Sequence, residues 1–334
     1  MTMPAEALPT TPPASLLADL VRSDLRRVDA AILRLVENEV SLIQQLAGHI
    51  IAAGGKRLRP ALTIASAQLC GYEGDRHINL ATCVEFIHTA TLLHDDVVDD
   101  SKLRRGLATA NAIWGNKASV LVGDFLLSRA FQMMVDDGDL NVLRLLSDTS
   151  ATIAQGEVQQ IMITSDPATP EATYFSVIQA KTAALFAAAC KLGAMAAGHQ
   201  AHEQALFEYG MNLGIAFQLV DDALDYAAEQ SELGKTVGDD FREGKVTLPV
   251  ILAYGQATAQ ERAFWERTLA EGEQHEEDLA TALRIMRGYN AIEQTLNRAE
   301  SYAQEAKRAL LRFQDTPARD ALMETAEQSS ARRY

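Results

Sequence analysis

The chain has 334 residues, 48% of them hydrophobic, with 30 basic against 45 acidic residues and a formal net charge of −15. That balance speaks against a nucleic-acid binder, which needs a basic footprint, and against docking by charge on an anionic membrane. Any site for a phosphorylated ligand must gather local positive charge against the field of the whole molecule.

Residues 1–13, MTMPAEALPTTPP, are rich in Pro and Thr. They lack the charged start and apolar centre of a signal peptide and the arginines of a transit peptide, so a disordered tail is expected. No Pro-, Gly- or Ser-rich linker divides residues 14–334, which predicts one domain. No apolar run of about 18 residues appears, so no membrane span is expected. Cys70, Cys83 and Cys190 have no metal-type spacing and are expected as reduced core thiols of a cytosolic protein.

From residue 14 to 52, apolar residues recur at helical spacing: Leu25, Val28, Ile32, Leu35 and Val36, then Val40, Ile43, Leu46 and Ile50. One or two amphipathic helices are predicted there, for packing or subunit contact. Gly54-Gly55 stops the run. In GGKRLRP (54–60), Pro60 suits the first turn of a helix reaching about Cys70. Lys56, Arg57 and Arg59 then lie at a loop–helix junction, where backbone N–H groups and the helix dipole also favour an anion. A solvated basic turn is the plain alternative.

Ile78 to Asp99 is predicted as a long, mostly apolar helix containing Glu85 and His88. Its end, LLHDDVVDDSKLRRG (92–106), sets Asp95, Asp96, Asp99 and Asp100 before Lys102, Arg104 and Arg105. On a helix Asp95 and Asp99 share a face, and like charges at that spacing repel by a few tenths of a kcal/mol. A cation between them reverses the sign. Oxygen-only ligands suit a hard divalent ion, and Mg²⁺ is commonly held by one or two carboxylates plus substrate phosphates. The arginines can grip phosphate in bidentate fashion. Carboxylates followed by arginines read as a magnesium–diphosphate site, the alternative being a solvated acidic helix end. His88, two turns before Asp95 on roughly the same face, is either a core group or a ligand.

Beyond Gly106, ATANAIWGNKAS reads as a short helix. Leu121–Val135 and Leu140–Thr164 read as longer ones, the second with Gly156, Glu157 and Gln160 near its far end. After the loop SDPATP (165–170) a helix starts at Pro170-Glu171. Tyr174–Gly198 is helical and Ala-rich. Lys181-Thr182 interrupts its apolar character, and a Lys there must snorkel or bind something. Glu203–Glu229 carries a second acidic motif, FQLVDDALDY (217–226). Asp221 and Asp225 share a face, Asp222 stands beside them, and Gln218 lies one turn before Asp222. Two such motifs on apolar helices are hard to read as surface decoration. Lys235 sits in the glycine-flanked GKTVG, Lys245 follows, and Pro249 opens another helix. Residues 259–330 are charged amphipathic helices with no chemical motif. No convincing β-strand is visible, because the apolar runs are long, Ala- and Leu-rich, and lack two-residue alternation.

GGKRLRP, FIHTATLLHDDVVDDSKLRRG (86–106), Lys181-Thr182, FQLVDDALD and GKTVGDDFREGKVTLP stand in one order between residues 54 and 250. Together they resemble the trans-isoprenyl diphosphate synthases. The resemblance implies an all-α, single-domain helical bundle around a deep central cavity, with both acidic motifs at its mouth, and a homodimer. It implies that Asp95, Asp96 and Asp99, with Asp221, Asp222 and Asp225, hold several Mg²⁺ ions on an allylic diphosphate. Arg104, Lys181, Thr182, Gln218, Lys235 and Lys245 would contact that substrate. Lys56, Arg59, His88 and Arg105 would hold the diphosphate of isopentenyl diphosphate, with Arg57 counted beside them. The six aspartates together with Arg104, Lys181 and Lys235 would carry catalysis. Asp100 is an extra acid without an assigned role.

The chemistry suits these residues. Breaking an allylic C–O bond develops charge on the departing diphosphate, which cations stabilise in a water-poor cavity. No protein nucleophile is needed, and no Ser/His/Asp or Cys/His arrangement suggests one. In this family the residues about one turn before the first acidic motif form the cavity floor. Here they are Ala90 and Thr91, both small. The product is expected to grow past them, along a tunnel touching Val84, Ile87, Phe131, Met133 or Met134, unless these five are ordinary core. The motif wording resembles the long-chain members, which make octaprenyl, nonaprenyl or decaprenyl diphosphate for quinone side chains. The implied setting is cytoplasmic, with a farnesyl or geranylgeranyl primer and transient membrane contact for product release. A geranylgeranyl diphosphate synthase is the near alternative. A terpene cyclase would need no second diphosphate site, a non-catalytic partner subunit would have lost acids from a motif, and a scaffold leaves the clustered cations unexplained.

Overall fold

The computed structural model describes residues 15–52, 57–104, 106–227 and 237–331. The tail (1–13) and Lys56, Arg105 and Lys235 lie outside them. The first apolar runs form α1 (Leu16–Val36) and α2 (Ser41–Ala52). α1 buries Leu17, Val21, Val28, Ile32 and Val36 along one stripe, the mark of a surface helix. α3 (Leu58–Leu69) and α4 (Arg76–Val98) come next. α4 buries consecutive residues from Leu80 to Ile87, so it has no solvent face there and stands inside the bundle.

The chain leaves α4 through a feature the sequence did not predict. Leu103–Arg104 (β1) and Leu107–Ala108 (β2) pair antiparallel, Leu103 with Ala108 and Arg104 with Leu107. Strands of two residues are too short for alternation to register. Asp100, at φ 48, and Gly106, at φ 77, turn the backbone. The Thr109 hydroxyl donates to Ser101 O at 2.7 Å, and Asn111 Nδ2 donates to Asp96 O at 2.9 Å. The hairpin is thereby folded back on the end of α4.

α5 (Ala110–Trp114), α6 (Asn116–Asp137) and α7 (Leu140–Ile163) follow. Asp139 caps α7 by accepting the Asn141 N–H at 2.9 Å. α8 (Glu171–Ile178), a π turn (Gln179–Ala183) and α9 (Ala184–Ala196) form one helical segment with a wider turn in its middle. α10 (Gln200–Ala227) is 28 residues long. Gly210 and Gly214 let it lie against α9 and the π turn: an added Cβ would come within 2.4 Å of Phe186 O at the first and 2.6 Å of Ala183 Cα at the second. The remainder comprises α11 (Asp239–Arg242), α12 (Leu248–Gln256), α13 (Ala259–Trp265), α14 (Asp278–Gly288), α15 (Ala291–Ala309) and α16 (Pro317–Ser330).

Two apolar clusters fill the interior. One joins α1, α3, α4, α6, α7 and α9 with the first half of α10, through Leu206, Tyr209 and Leu213. The other joins α8 and α12–α15 with its second half, through Ile215, Leu219 and Tyr226. The three thiols are free and buried. Burial pushes them up to about 11 at Cys70 and about 12 at Cys83 and Cys190, which keeps them unreactive. Residues 116–137 and 171–196 have the length and hydropathy of a membrane crossing, which the sequence reading did not expect. The second is 61% buried as a core helix, the first only 33%.

Candidate active site

Sequence leaves open whether the two acidic helices meet. In the fold, Asp95 and Asp99 from α4 and Asp221 and Asp222 from α10 line one cleft of about 500 Å³. The acids of each motif divide by burial. Asp95 faces the cleft, and burial pushes its carboxyl up to about 7; Glu157 and Asp99 add to the shift, while Lys181 and Arg104 oppose it. Asp96 is 3% exposed and does not line the cleft. Its Oδ1 accepts from Arg104 Nε at 3.0 Å and Nη2 at 2.7 Å, a contact the hairpin makes possible.

Asp222 is 4% exposed. Its Oδ2 accepts from the Tyr174 hydroxyl and its Oδ1 from Gln218 Nε2 at 2.7 Å. The Thr182 hydroxyl donates to Gln218 Oε1 at 2.8 Å. Burial pushes Asp222 up to about 7 against these donors. Asp225 lies one turn on and accepts the Asp240 N–H at 3.1 Å. Asp240 itself lines the cleft, and burial beside Asp222 and Asp225 holds it well above the usual carboxylate range.

This donor set suits a hard cation. Carboxylates from α4, α7, α10 and α11 share one desolvated cleft; Glu157 and Asp99 raise Asp95, and Asp221 and Asp225 raise Asp222, so a positive charge among them removes a penalty that protons otherwise relieve. No three acidic, His or Cys side chains among the described residues form a ready-made cage. Mg²⁺ takes one or two carboxylates and completes its shell with water and substrate phosphate.

Cations surround the acids. The π turn sets both Lys181 and Thr182 against the cleft, although neighbours on a regular helix diverge by about 100°. α7 reaches the turn at Gly156, where an added Cβ would lie 2.8 Å from Ala180 Cβ and 2.9 Å from Lys181 N. Lys181 Nζ pairs with Glu157 at 2.7 Å and Lys245 Nζ with Asp99 at 3.2 Å. Arg59 is half-buried, with its guanidinium 4.4 Å over the Phe186 ring, and its Nη1 lies 3.1 Å from His88 Nε2. Arginine can only donate, so His88 Nε2 accepts, and the ring carries its proton on Nδ1. Burial lowers Arg59 to about 10, with Glu85 opposing. Arg57 pairs with Glu85 and with Asp29 at 3.3 Å and does not line the cleft.

The profile of the polyprenyl synthetase family matches residues 40–286. The chain belongs to the polyprenyl synthetase family. It is a prenyltransferase of that family. An octaprenyl diphosphate synthase of Escherichia coli (strain K12) is 48% identical over 306 residues, covering 91% of this chain and 94% of that protein. The crystal structure of a decaprenyl diphosphate synthase from Rhodobacter capsulatus matches with a TM-score of 0.91 and 47% identity, covering 95% of this chain and 98% of that one. A polyprenyl synthase from Caulobacter crescentus CB15, complexed with calcium and isoprenyl diphosphate, gives a TM-score of 0.92 and 49% identity over 96% and 98%.

Of the residues expected to set product length in this polyprenyl synthetase, Thr91 lines the cleft, and its hydroxyl donates to His88 O at 2.8 Å. Ala90, Ile87, Val84 and Met134 are sealed in the first apolar cluster and Met133 packs against it. Phe131 is 39% exposed on α6. The apolar wall of the cleft is Leu92, Ile163, Val177, Ile178, Phe217 and Val246. Sequence reasoning gave no role to Glu157, Gln160, Tyr174, Asp240 or Thr247, all of which line the cleft. Asp240 stood inside a quoted motif, and Glu157 and Gln160 were polar residues three apart beside Gly156. Tyr174 left no local signal.

Proposed function

We propose that this polyprenyl synthetase is a long-chain trans-polyprenyl diphosphate synthase. It adds isopentenyl diphosphate, by successive 1′-4 condensations, to a farnesyl or geranylgeranyl diphosphate primer. The product has eight to ten isoprene units and serves as a quinone side chain. Residues 14–334 act as one catalytic domain. One observation carries this: acids of α4 and α10 share a single cleft with Arg59, Lys181 and Lys245. The octaprenyl and decaprenyl diphosphate synthases at 48% and 47% identity support the long chain.

Mg²⁺, when bound, supplies positive charge against the diphosphate as it departs. Asp95, Asp99 and Asp221 would hold it from the cleft wall, with Asp225 behind. Asp96 and Asp222, buried under Arg104 and Tyr174, brace the two motifs. Lys181 and Lys245 are already in the cleft, paired with Glu157 and Asp99; an allylic diphosphate takes the place of those acids. Lys235, Thr182 and Gln218 are assigned to the same substrate by the family resemblance. Arg59 has no carboxylate within ion-pair distance among the described residues and a sealed Nε without a partner. A half-buried cation in that state calls for an anion, which is the diphosphate of isopentenyl diphosphate, with neutral His88 fixing the guanidinium and Lys56 and Arg105 beside it.

The allylic C–O bond breaks and its electron pair leaves with the diphosphate. The isopentenyl alkene forms the new C–C bond, and the proton lost passes to the departing diphosphate. The apolar wall around Phe217 keeps water from the cation. Outward-facing Leu121, Phe131 and Val135 on α6 and Val158, Ile161 and Met162 on α7 support a homodimer, since exposed apolar patches of this kind mark interfaces. The free buried thiols fit a cytoplasmic enzyme.

The test is incubation with Mg²⁺, farnesyl diphosphate and labelled isopentenyl diphosphate, followed by chromatography of the dephosphorylated products. A ladder ending at eight to ten units is expected. A stop at four units makes it a geranylgeranyl diphosphate synthase, and no incorporation by folded protein makes it a partner subunit.

A further inference from the structure

We propose that Tyr174 is a positioning residue for the second acidic motif: its hydroxyl fixes the Asp222 carboxylate and, through it, the presentation of Asp221. This rests on that motif being a metal site. Tyr174 lies on α8, outside every motif, and is 3% exposed. Its hydroxyl donates to Asp222 Oδ2, while Gln218 Nε2 donates to Oδ1 at 2.7 Å. Each carboxylate oxygen thus receives one neutral donor.

The two donors are not equivalent. Gln218 stands one turn below Asp222 on the same helix and moves with it. Tyr174 ties the carboxylate directly to a different helix. Its ring is itself held, buried in the second apolar cluster and edge-on to Phe175 at 5.5 Å, with Phe175 meeting Tyr302 of α15 at 5.7 Å. The reference point for Asp222 is therefore packed core.

Asp222 needs such a reference because its charged neighbours share its sign: Asp221 and Asp225 on its own helix and Asp240 on α11. A carboxylate that loses one of two donors is free to turn away from that field, which changes the like charge that the adjoining Asp221 meets. Groups that orient a metal's ligands typically change metal affinity by about 10–100-fold when removed. The plain alternative is that a buried tyrosine merely uses Asp222 to satisfy its hydroxyl. The two differ in what happens to the metal.

The experiment measures Mn²⁺ binding to the full chain from the free-Mn²⁺ resonance, with inorganic diphosphate present. Wild type, Tyr174→Phe and Asp221→Ala are compared. Tyr174→Phe should bind Mn²⁺ about tenfold more weakly and lower kcat, with the KM for isopentenyl diphosphate unchanged. Mn²⁺ affinity equal to wild type overturns the proposal while leaving the metal site standing. No Mn²⁺ binding by wild type, or full binding by Asp221→Ala, removes the metal reading itself and this proposal with it. Should Tyr174→Phe not fold, 3-fluorotyrosine at position 174 keeps both ring and hydroxyl. Its fluorine resonance should shift when Mg²⁺ and inorganic diphosphate are added, and an unmoved resonance overturns the proposal.

Discussion

Lys245 Nζ lies 3.2 Å from Asp99 Oδ2, joining residues 146 positions apart. The contact ties the end of α4 to the segment before α12. Lys245 also meets Glu243 at 2.7 Å. Burial draws the ammonium pKa down, and Glu243, Asp99 and Asp240 more than reverse it, so the side chain stays charged. Lys181 and Glu157 repeat the arrangement from the π turn and α7. Both lysines thus stand in the cleft before any substrate arrives, each balanced by an acid. Charge placed in advance need not be reorganised during the reaction.

The acids carry the first prediction. Asp95→Ala or Asp221→Ala should lower turnover by about 10²–10³-fold or more, the loss typical of removing one element of charge stabilisation. Far-ultraviolet circular dichroism should be unchanged, because both side chains face the cleft. A near-normal rate in either variant would take that residue out of the metal site.

Metal affinity should depend on pH through Asp95. Its carboxyl is pushed up to about 7. Below that pH it keeps a proton that a cation must displace, and above it the proton is already gone. The half-saturating Mg²⁺ concentration should therefore fall as pH rises through 7, by about tenfold per unit at the steepest for one displaced proton. Mg²⁺ titration in a weakly buffered indicator should release protons at about pH 6 and fewer at about pH 8. A half-saturation independent of pH would contradict the assignment of Asp95.

Ala90 is 2% exposed on α4, next to cleft-lining Thr91. Ala90→Phe should shorten the final product, read by chromatography after dephosphorylation. Overpacking of this kind costs about 1–3 kcal/mol, so a lower melting temperature should accompany it. An unchanged product from a folded variant would place the floor elsewhere.

Gly214→Ala would set a methyl 2.6 Å from Ala183 Cα and 2.9 Å from Ala183 Cβ. The obstacles are one backbone atom and two Cβ atoms that cannot rotate away from it, so α10 and the π turn must separate. We expect a loss of about 1–3 kcal/mol in urea unfolding together with weaker binding of the allylic substrate, as Lys181 and Thr182 shift. Wild-type stability would show that the two helices can part freely.

What the sequence made legible was local. The spacing of Asp95 and Asp99, and of Asp221 and Asp225, follows from helical periodicity alone, whereas the all-α bundle was implied by the family resemblance. What stayed hidden depends on tertiary packing. Asp95 and Asp96 are chemically identical neighbours, and only the returning hairpin decides that one faces the cleft while the other takes Arg104. The π turn carries no propensity signal in an Ala-rich helix; it is read only where α7 and α10 press on it at Gly156 and Gly214. Tyr174 looks like any apolar-face tyrosine until α8 is laid beside α10.

The wide turn at Gln179–Ala183 also limits how the gene can change. A wide turn holds one residue more than a regular one, so taking that residue out would wind the segment back to a regular helix and leave α8 and α9 in phase. Phe186 would stay over Arg59, and Gly193 against α3, where an added Cβ would lie 2.5 Å from Ser66 Cβ and 2.6 Å from Ala67 N. The core beyond the turn would be kept, and the loss would fall on the cleft, because Lys181 and Thr182 would then diverge by about 100°. Among descendants of this gene, Lys181, Thr182 and the length of that stretch should therefore be kept together.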